Sequence, residues 1–202
     1  MNANVGMIHP VYAPVSAYTP GSAITYGTGG VVAEGVSANL TWEREDGHFY
    51  GDDVELDTAN GVLGYTLEFE PSGLDDAVRA ALLGEVASSD EYTITDDVAP
   101  DVGFGYVRKM RKTNATTGAV EYSYEGWWFH KLKFAVTREE TRTKERTVAW
   151  RVPTLTGTGA GAKLDSSGKL KFAIHKTFST EAAAIAYVEG KAGISSTPAT
   201  TT

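Results

Sequence analysis

The stretch VEYSYEGWWFHKLKFAV, residues 120–136, decides the fold of this chain. Every second residue across it is apolar, aromatic or glycine, which predicts one continuous β-strand. Because mean strands have only about five to six residues, a strand of this length should bend, and Gly126 is the expected site of a kink or bulge. Trp127 and Phe129 lie on the opposite face. We therefore expect a second layer or a neighbouring subunit to cover each face of the strand.

Shorter segments with two-residue alternation, or rich in β-branched and aromatic residues, predict further strands. They are 36–42, 63–69, 92–95, 104–110, 148–152 and 170–174. Between them, residues 112–118 predict a polar hairpin loop. The glycine- and threonine-rich stretch 153–162 predicts a flexible loop.

Two segments have helical signals. Residues 74–83 carry an apolar stripe at helical spacing, with Ser72 as the expected cap and Gly84 as the expected end. Residues 181–189 are rich in alanine, with Ser179 as the expected cap and Gly190 as the expected end. The first of these is the stronger helix prediction.

These elements predict a mainly-β fold: a β-sandwich of antiparallel strands with one flanking α-helix, extended arms and loops. Residues 1–30 are low in charge and interrupted by prolines, so we expect an extended arm or irregular strands there. Residues 31–194 form the predicted sandwich domain. Residues 195–202 are a polar tail that is expected to be disordered.

Charge divides the chain into two halves. Residues 1–105 contain 18 Asp or Glu against 2 Lys or Arg, a net charge of −16, whereas residues 106–202 contain 16 basic residues against 8 acidic ones, a net charge of +8. The opposite charges could neutralise each other within one monomer. They could also lie on different surfaces that meet between copies, as head-to-tail association requires.

Several classes of protein are disfavoured by composition. The chain has no cysteine, which excludes disulfides and thiol chemistry, and no run of about 18 apolar residues that would span a membrane. The first ten residues lack the basic and apolar regions of an export signal. The acidic total argues against a simple nucleic-acid binder, although the basic second half leaves that function open.

No motif selects catalytic residues, a cofactor or a metal. The four histidines lack metal-ligand spacing, and the acidic cluster of Asp52, Asp53, Glu55 and Asp57 lacks the glycine and glutamate positions of a calcium loop. Phosphate-binding, dinucleotide-binding and nucleophile-elbow patterns are missing. We therefore expect that the chain is not an enzyme and binds no cofactor.

Three groups of residues, taken in order and spacing, resemble the major tail protein (tail tube protein) family of long-tailed, non-contractile bacteriophages. The first is Trp42 and Glu43 followed by FYGDDVE at 49–55. The second is GVLGYTL at 61–67. The third is VGFGYV at 102–107 with YEGWWFHKL at 124–132. The resemblance covers about residues 30–180.

The resemblance implies a structural virion protein with a β-sandwich fold, whose rings, usually hexameric, stack into a tube. Its implied partners are other copies of itself and tail proteins such as the tape measure and the terminator. Genomic DNA would pass through the tube without specific binding, and no membrane is involved. The implied location is the virion tail, assembled in the cytoplasm of the bacterial host, and the family has no catalytic residues to carry over.

Residues can be assigned to this function as expectations. An acidic lining would repel phosphate and let a duplex slide, so we place some of Asp52, Asp53, Glu55 and Asp57 at the lumen or between rings. The strand at 120–136 is the candidate for pairing between subunits. Residues 1–30 and 154–168 are the candidates for arms that become ordered on stacking.

Other functions remain open. Trp127 and Trp128 could stack on sugar rings in a carbohydrate- or receptor-binding module of a phage fibre. We favour instead that the two indoles are core or interface residues. A head–tail connector is a further alternative, and an enzyme ranks last.

Overall fold

The computed structural model describes residues 2–45, 47–51, 54–59, 61–88, 91–113, 118–140 and 152–194. Within these ranges the strands are β1 Asn2–Ala17, β2 Thr25–Tyr26, β3 Gly30–Val31, β4 Gly35–Arg44, β5 Gly47–Gly51, β6 Val54–Ala59, β7 Val62–Pro71, β8 Val86–Ser88, β9 Glu91–Thr93, β10 Val102–Thr113, β11 Val120–Arg138, β12 Thr154–Gly159, β13 Ala162–Lys163, β14 Leu170–Lys171 and β15 Ala173–Phe178. The helices are α1 Asp76–Leu83 and α2 Glu181–Ala192. The predicted mainly-β, antiparallel fold is confirmed.

Strand β11 belongs to two sheets. Its whole first part pairs with β10, while its other edge pairs first with β15, at residues 124–129, and then with β12, at residues 133–138. The first sheet thus contains β1, β2, β3, β10, β15 and the start of β11. The second sheet contains the end of β11 with β12, β7 and β4, and the two sheets are continuous through β11.

A β-bulge marks the point where β11 leaves one sheet for the other. Phe104 pairs with Phe129 and Val102 pairs with Leu132, so two residues of β11 oppose one residue of β10. The extra residue shifts the alternation of side chains between the two faces of β11, so odd-numbered residues face the larger core before the bulge and even-numbered residues face it afterwards. As a result Phe129 before the bulge and Leu132 after it both enter the same core.

The expected kink at Gly126 is wrong, because the bulge lies at His130 and Lys131 and the pairing of Gly126 with Val107 is regular. Gly126 has a different role. A Cβ there would lie 2.7 Å from the Cδ1 atom of Tyr187 on α2. Glycine at this position therefore allows α2 to pack closely against β11.

Two tyrosine hydroxyls satisfy the backbone of the bulge. Tyr26 donates to the carbonyl oxygen of His130 at 2.8 Å, and Tyr65 donates to the carbonyl oxygen of Lys131 at 3.2 Å. The amide of His130 donates to the carbonyl oxygen of Phe172 at 3.1 Å. Buried backbone groups that leave a ladder must find other partners, and here side chains from both sheets supply them.

Two apolar cores fill the spaces between three layers. The larger core lies between the sheets and below α1, with residues such as Tyr65, Phe69, Phe104, Phe129 and Leu132. The smaller core lies between the first sheet and α2 and includes Val11, Ala13, Val107, Trp128, Ala184 and Val188. The order of layers is therefore α2, first sheet, second sheet.

The alternation predicted for β4 and β7 is largely confirmed. Tyr65, Leu67 and Phe69 of β7 are fully buried, and Leu40 and Trp42 of β4 are half-buried against the same core. Leu63 and Val36 carry the expected period but lie at the ends of the strands and are exposed.

The predicted loop at 153–162 is wrong, since residues 154–159 form β12 between β11 and β7. The glycines of this segment provide space rather than flexibility. A Cβ on Gly157 would lie 2.6 Å from Cδ1 of Leu132, and the ring of Tyr65 occupies the space that a side chain on Gly159 would need. Leu155 of the same strand is fully buried.

Both predicted helices exist, but their ends differ from prediction. Gly84 ends α1 in the left-handed conformation as expected, whereas the helix begins at Asp76 with Asp75 at the N-cap position. Ser72 instead hydrogen-bonds Glu34 at 3.0 Å. Helix α2 continues through Gly190 to Ala192, with Gly193 at the C-cap position, because Val188 and Ala192 pack in the smaller core.

The N-terminal segment is extended, and its first 17 residues include a strand of the sheet. Residues of β1 from Asn2 to Pro14 pair with β10, and Val11 and Ala13 are fully buried. The predicted strand at 148–152 lies almost entirely outside the described residues, as does the polar tail at 195–202.

We expect Tyr65→Phe to lower the free energy of unfolding by about 1 to 2 kcal/mol, because the carbonyl of Lys131 would lose its donor in a buried site. Chemical denaturation measures the change. Tyr92→Phe, on an exposed side chain, is the matched control and should have little effect. An equal effect of the two substitutions would contradict the assigned role of Tyr65.

Candidate assembly surfaces

The acidic cluster predicted from sequence lies on a separate hairpin. Strands β5 and β6 pair with each other, and Glu55 and Asp57 are at the register positions of Tyr50 and Phe49. Asp52 and Asp53 lie outside the described residues. The amide of Glu45 donates to the carbonyl of Gly61 at 2.8 Å, so the hairpin continues directly from the β4–β7 pair.

The two tryptophans lie on opposite faces of the first sheet. Trp128 is fully buried in the smaller core, where its indole donates to the hydroxyl of Tyr26 at 3.3 Å. It covers Gly105 of β10, on which a Cβ would lie 2.7 Å from Cε3 of the indole. Trp128 is therefore a core residue.

Trp127 is half-buried, and charged or aromatic groups lie against its ring. The guanidinium of Arg108 lies 4.8 Å from the ring centroid, and the ring of His175 stacks on it at 4.6 Å. Arg108 comes from β10 and His175 from β15, which flank β11 on opposite sides. The indole N–H donates to Glu125 at 3.1 Å. These neighbours fill the faces that a sugar ring would need.

Carboxylates occupy the outer face of the second sheet. The alternation that buries Leu67 and Phe69 turns Glu68 and Glu70 outward, and Glu43 on β4 lies on the same side. Ser37 donates to Glu70 at 2.7 Å and Thr66 donates to Glu43 at 3.2 Å. These glutamates were not singled out from the sequence, although the period of β4 and β7 places them opposite the core.

Cations lie on the α2 side of the first sheet. Lys109 and Arg111 have the same strand parity as Val107, which packs against α2. The ammonium of Lys109 lies 4.8 Å from the ring centroid of Tyr122, and that of Lys176 lies 5.3 Å from the ring of Phe178. Glu43, Glu68 and Glu70 therefore face the side of the three-layer structure opposite to Lys109 and Arg111.

Some ion pairs do join the two halves of the sequence. Asp101 bridges Lys131 at 3.2 Å and Lys133 at 3.3 Å, and Arg79 of the acidic half pairs with Glu139 at 3.1 Å. Other pairs lie within one half, such as Arg108 with Glu125. Among the described residues, Arg111 and Lys176 take part in none of the ion pairs found. In the part of the chain that the structure describes, the Lys and Arg ion pairs that join the two halves lie around Asp101 and Arg79.

Strands β11 and β4 differ in whether a backbone edge is free to pair with another chain. Over most of its length β11 has partners on both edges, so the expectation that it pairs between subunits is wrong. In the middle of the strand, from Trp128 to Phe134, its apolar side chains are covered within the monomer by α2 and by the second sheet. In the described part of the chain β4 pairs with β7 alone, which leaves one edge open.

His130, in the bulge, lines two grooves, of about 510 Å³ and about 190 Å³. Burial lowers the pKa of His130 from 6.5 to about 4, with smaller contributions from Lys191 and Lys171. Burial also raises the pKa of Tyr26. At neutral pH the imidazole of His130 and the phenol of Tyr26 are therefore uncharged, and both side chains serve in packing.

The described residues contain no group of three or more histidine or acidic side chains arranged to hold a metal ion. Neither helix in the described ranges is long and apolar enough to span a membrane. Comparison of the sequence with protein-family models and with curated proteins finds no match.

Acid should destabilise the fold through His130. Above about pH 6.5 the side chain is neutral in both states, whereas between 6.5 and about 4 the unfolded chain takes up the proton and the folded chain does not. The free energy of unfolding should therefore fall over this interval. His130→Gln should reduce the loss by about 2 kcal/mol, allowing for partial exposure of the ring.

Urea denaturation of both proteins across this pH interval measures the effect. A comparison at about pH 8, where no proton is taken up, gives the cost of the lost packing alone. Parallel pH profiles for the two proteins would contradict the role assigned to His130.

Proposed function

We propose that this chain is a structural virion protein that assembles into stacked rings and forms the tail tube of a bacteriophage, through which DNA passes into the host. The separation of charge onto opposite faces carries the proposal. Glu68 and Glu70 lie on the outer face of the second sheet, and Lys109 and Arg111 lie on the far side of the first. Surfaces of opposite sign on one protein favour contacts in which different faces of two copies meet.

A heterologous contact of this kind can repeat, because two copies joined by it still have one free acidic surface and one free basic surface between them. It closes into a ring when the rotation between copies allows it and otherwise continues as a filament. A stack of rings needs contacts that close within each ring and contacts that continue from one ring to the next. Among the described strands β4 pairs only with β7, so its other edge offers a further place for backbone pairing between subunits.

The acidic surfaces also suit a conduit for DNA. Phosphates would be repelled by Glu43, Glu68 and Glu70, and a duplex held by few contacts can slide. The β5–β6 hairpin adds Glu55 and Asp57 at the end of the same pair of strands. We assign these carboxylates to the lumen or to the contact between rings.

The binding-module alternative ranks lower. It depended on Trp127 and Trp128 as stacking platforms for sugars, and one is buried while the other is flanked by Arg108 and His175. Binding of a glycan by the monomer would favour that alternative.

We expect the purified chain, at high concentration and low salt, to form tubes of stacked rings that are visible by negative-stain electron microscopy. Exposed charge pairs weaken with ionic strength, so assembly should decrease between about 50 mM and about 500 mM salt. Monomers at every concentration and salt would contradict the proposal. The same samples can be tested for glycan binding.

Charge reversal of the hairpin should impair the tube. We expect Glu55→Lys with Asp57→Lys to raise the protein concentration needed for assembly about tenfold, or to slow DNA ejection from virions that carry the variant. Asp75→Lys with Glu181→Lys makes the same change in net charge at exposed positions elsewhere. Normal tubes and normal ejection in the hairpin variant would refute the assignment of these two residues.

A further inference from the structure

One exposed segment combines large apolar side chains with carboxylates. Residues 91–98 comprise β9 and the bend that follows it. Its exposed apolar residues are Tyr92, Ile94 and Val98, and its exposed carboxylates are Glu91, Asp96 and Asp97. Ile94 and Val98 are 75% and 78% exposed. Neighbouring apolar side chains with a charged rim mark an interaction surface, and we call residues 91–98 the acidic-apolar segment.

A groove of about 480 Å³ lies between the acidic-apolar segment and the body of the protein. Leu83 of α1 and Phe134 and Val136 of β11 form its apolar part. The cation in the groove, Arg79, is already paired with Glu85 at 3.0 Å and with Glu139. The groove can therefore accept an apolar or aromatic side chain, while the carboxylates of the segment stay available to a basic partner.

A surface of opposite character lies at the far end of β10. Lys109 pairs with Tyr124, and Arg111 pairs with Tyr122, so these four side chains share one face of the β10–β11 hairpin. Val120 is on the same face, and Tyr122 and Val120 are 49% and 43% exposed. We call Lys109, Arg111, Val120, Tyr122 and Tyr124 the basic-aromatic surface. Tyrosine and arginine are the residue types that contribute most at protein interfaces.

Strand β10 separates the two surfaces. It begins at Val102, just after the acidic-apolar segment, and ends at Thr113, beside the basic-aromatic surface. From Val102 the strand runs about 23 Å to Lys109 and about 30 Å to Arg111. The two surfaces therefore cannot meet within one copy, although they match in sign and both expose apolar groups.

We propose that the acidic-apolar segment of one copy docks on the basic-aromatic surface of a second copy. The contact has an apolar centre, Ile94 and Val98 against Tyr122 and Val120, with Asp96 and Asp97 facing Lys109 and Arg111 at its rim. This inference rests on the proposed self-assembly and names the surfaces that carry it. A second copy is favoured over a nucleic acid, because the chain itself supplies the complement, and an exposed valine adds nothing to phosphate binding.

Charge exchange tests the contact. One variant carries Asp96→Lys and Asp97→Lys, and the other carries Lys109→Glu and Arg111→Glu. Each alone sets like charges against each other and should need at least about tenfold more protein to assemble. An equimolar mixture restores opposite charges at every junction and should assemble as the original chain does. Sedimentation velocity and electron microscopy measure assembly, and circular dichroism confirms that each variant is folded.

Matched variants change the same net charge at other exposed sites. Asp75→Lys with Glu181→Lys controls for the first variant, and Lys163→Glu with Lys169→Glu controls for the second. A further variant, Ile94→Ser with Val98→Ser, leaves charge unchanged and removes only exposed side chains. It should weaken assembly at low and high salt alike.

The outcomes separate this contact from the proposed function. If the original chain forms tubes but the exchange variants assemble equally well, or if their mixture stays unassembled, the contact is wrong, while the tubes of the original chain still support the proposed function. A chain that is monomeric under all conditions overturns both. Capture of a short single-stranded DNA by the basic-aromatic surface, in place of self-association, would also overturn the contact.

Discussion

The hydrogen bonds from Tyr26 and Tyr65 to the bulge in β11 hold the fold together at its branch point. The bulge frees the carbonyls of His130 and Lys131 from the ladder, and each hydroxyl reaches one of them from a different layer. Because the extra residue reverses the alternation, β11 keeps its large side chains in the same core on both sides of the bulge. One strand can thereby close a sandwich that would otherwise need two.

The sequence predicts the strands whose burial follows a simple period. Tyr65, Leu67 and Phe69 alternate with polar residues, and the structure buries all three. Glycine is the residue that misleads. In 153–162 it suggested a loop, whereas Gly157 makes room for Leu132 in a packed strand, and at Gly126 it suggested a kink where it makes room for α2. A glycine needed for its conformational freedom and a glycine needed because it has no side chain look identical in the sequence. The residue that occupies the space comes from a distant segment, so the sequence does not reveal which case applies.

The candidate surfaces were predictable in sign but not in position. The imbalance between the halves of the chain is plain from counting, and Trp127 and Trp128 had to face opposite sides of a strand. The outward position of Glu68 follows from the period of β7 once its buried face is known. The pairing of Lys109 with Tyr124 depends on the register of β10 and β11, which the hairpin loop alone does not determine. Ion pairs such as Asp101 with Lys131 likewise follow from tertiary contact.

The pairing of β1 with β10 has a consequence for biosynthesis. Val102 follows its partner Pro14 by 88 residues, and Lys112 follows Asn2 by 110. On the ribosome, the first strand therefore emerges long before its hydrogen-bonding partner has been made. Until then its apolar residues have no sheet in which to be buried. Such distant pairing slows folding and leaves nascent chains open to wrong association. The basic end of β10 is also translated late, so the docking surface that we propose there is complete only after Tyr124 of the 202 residues has been made.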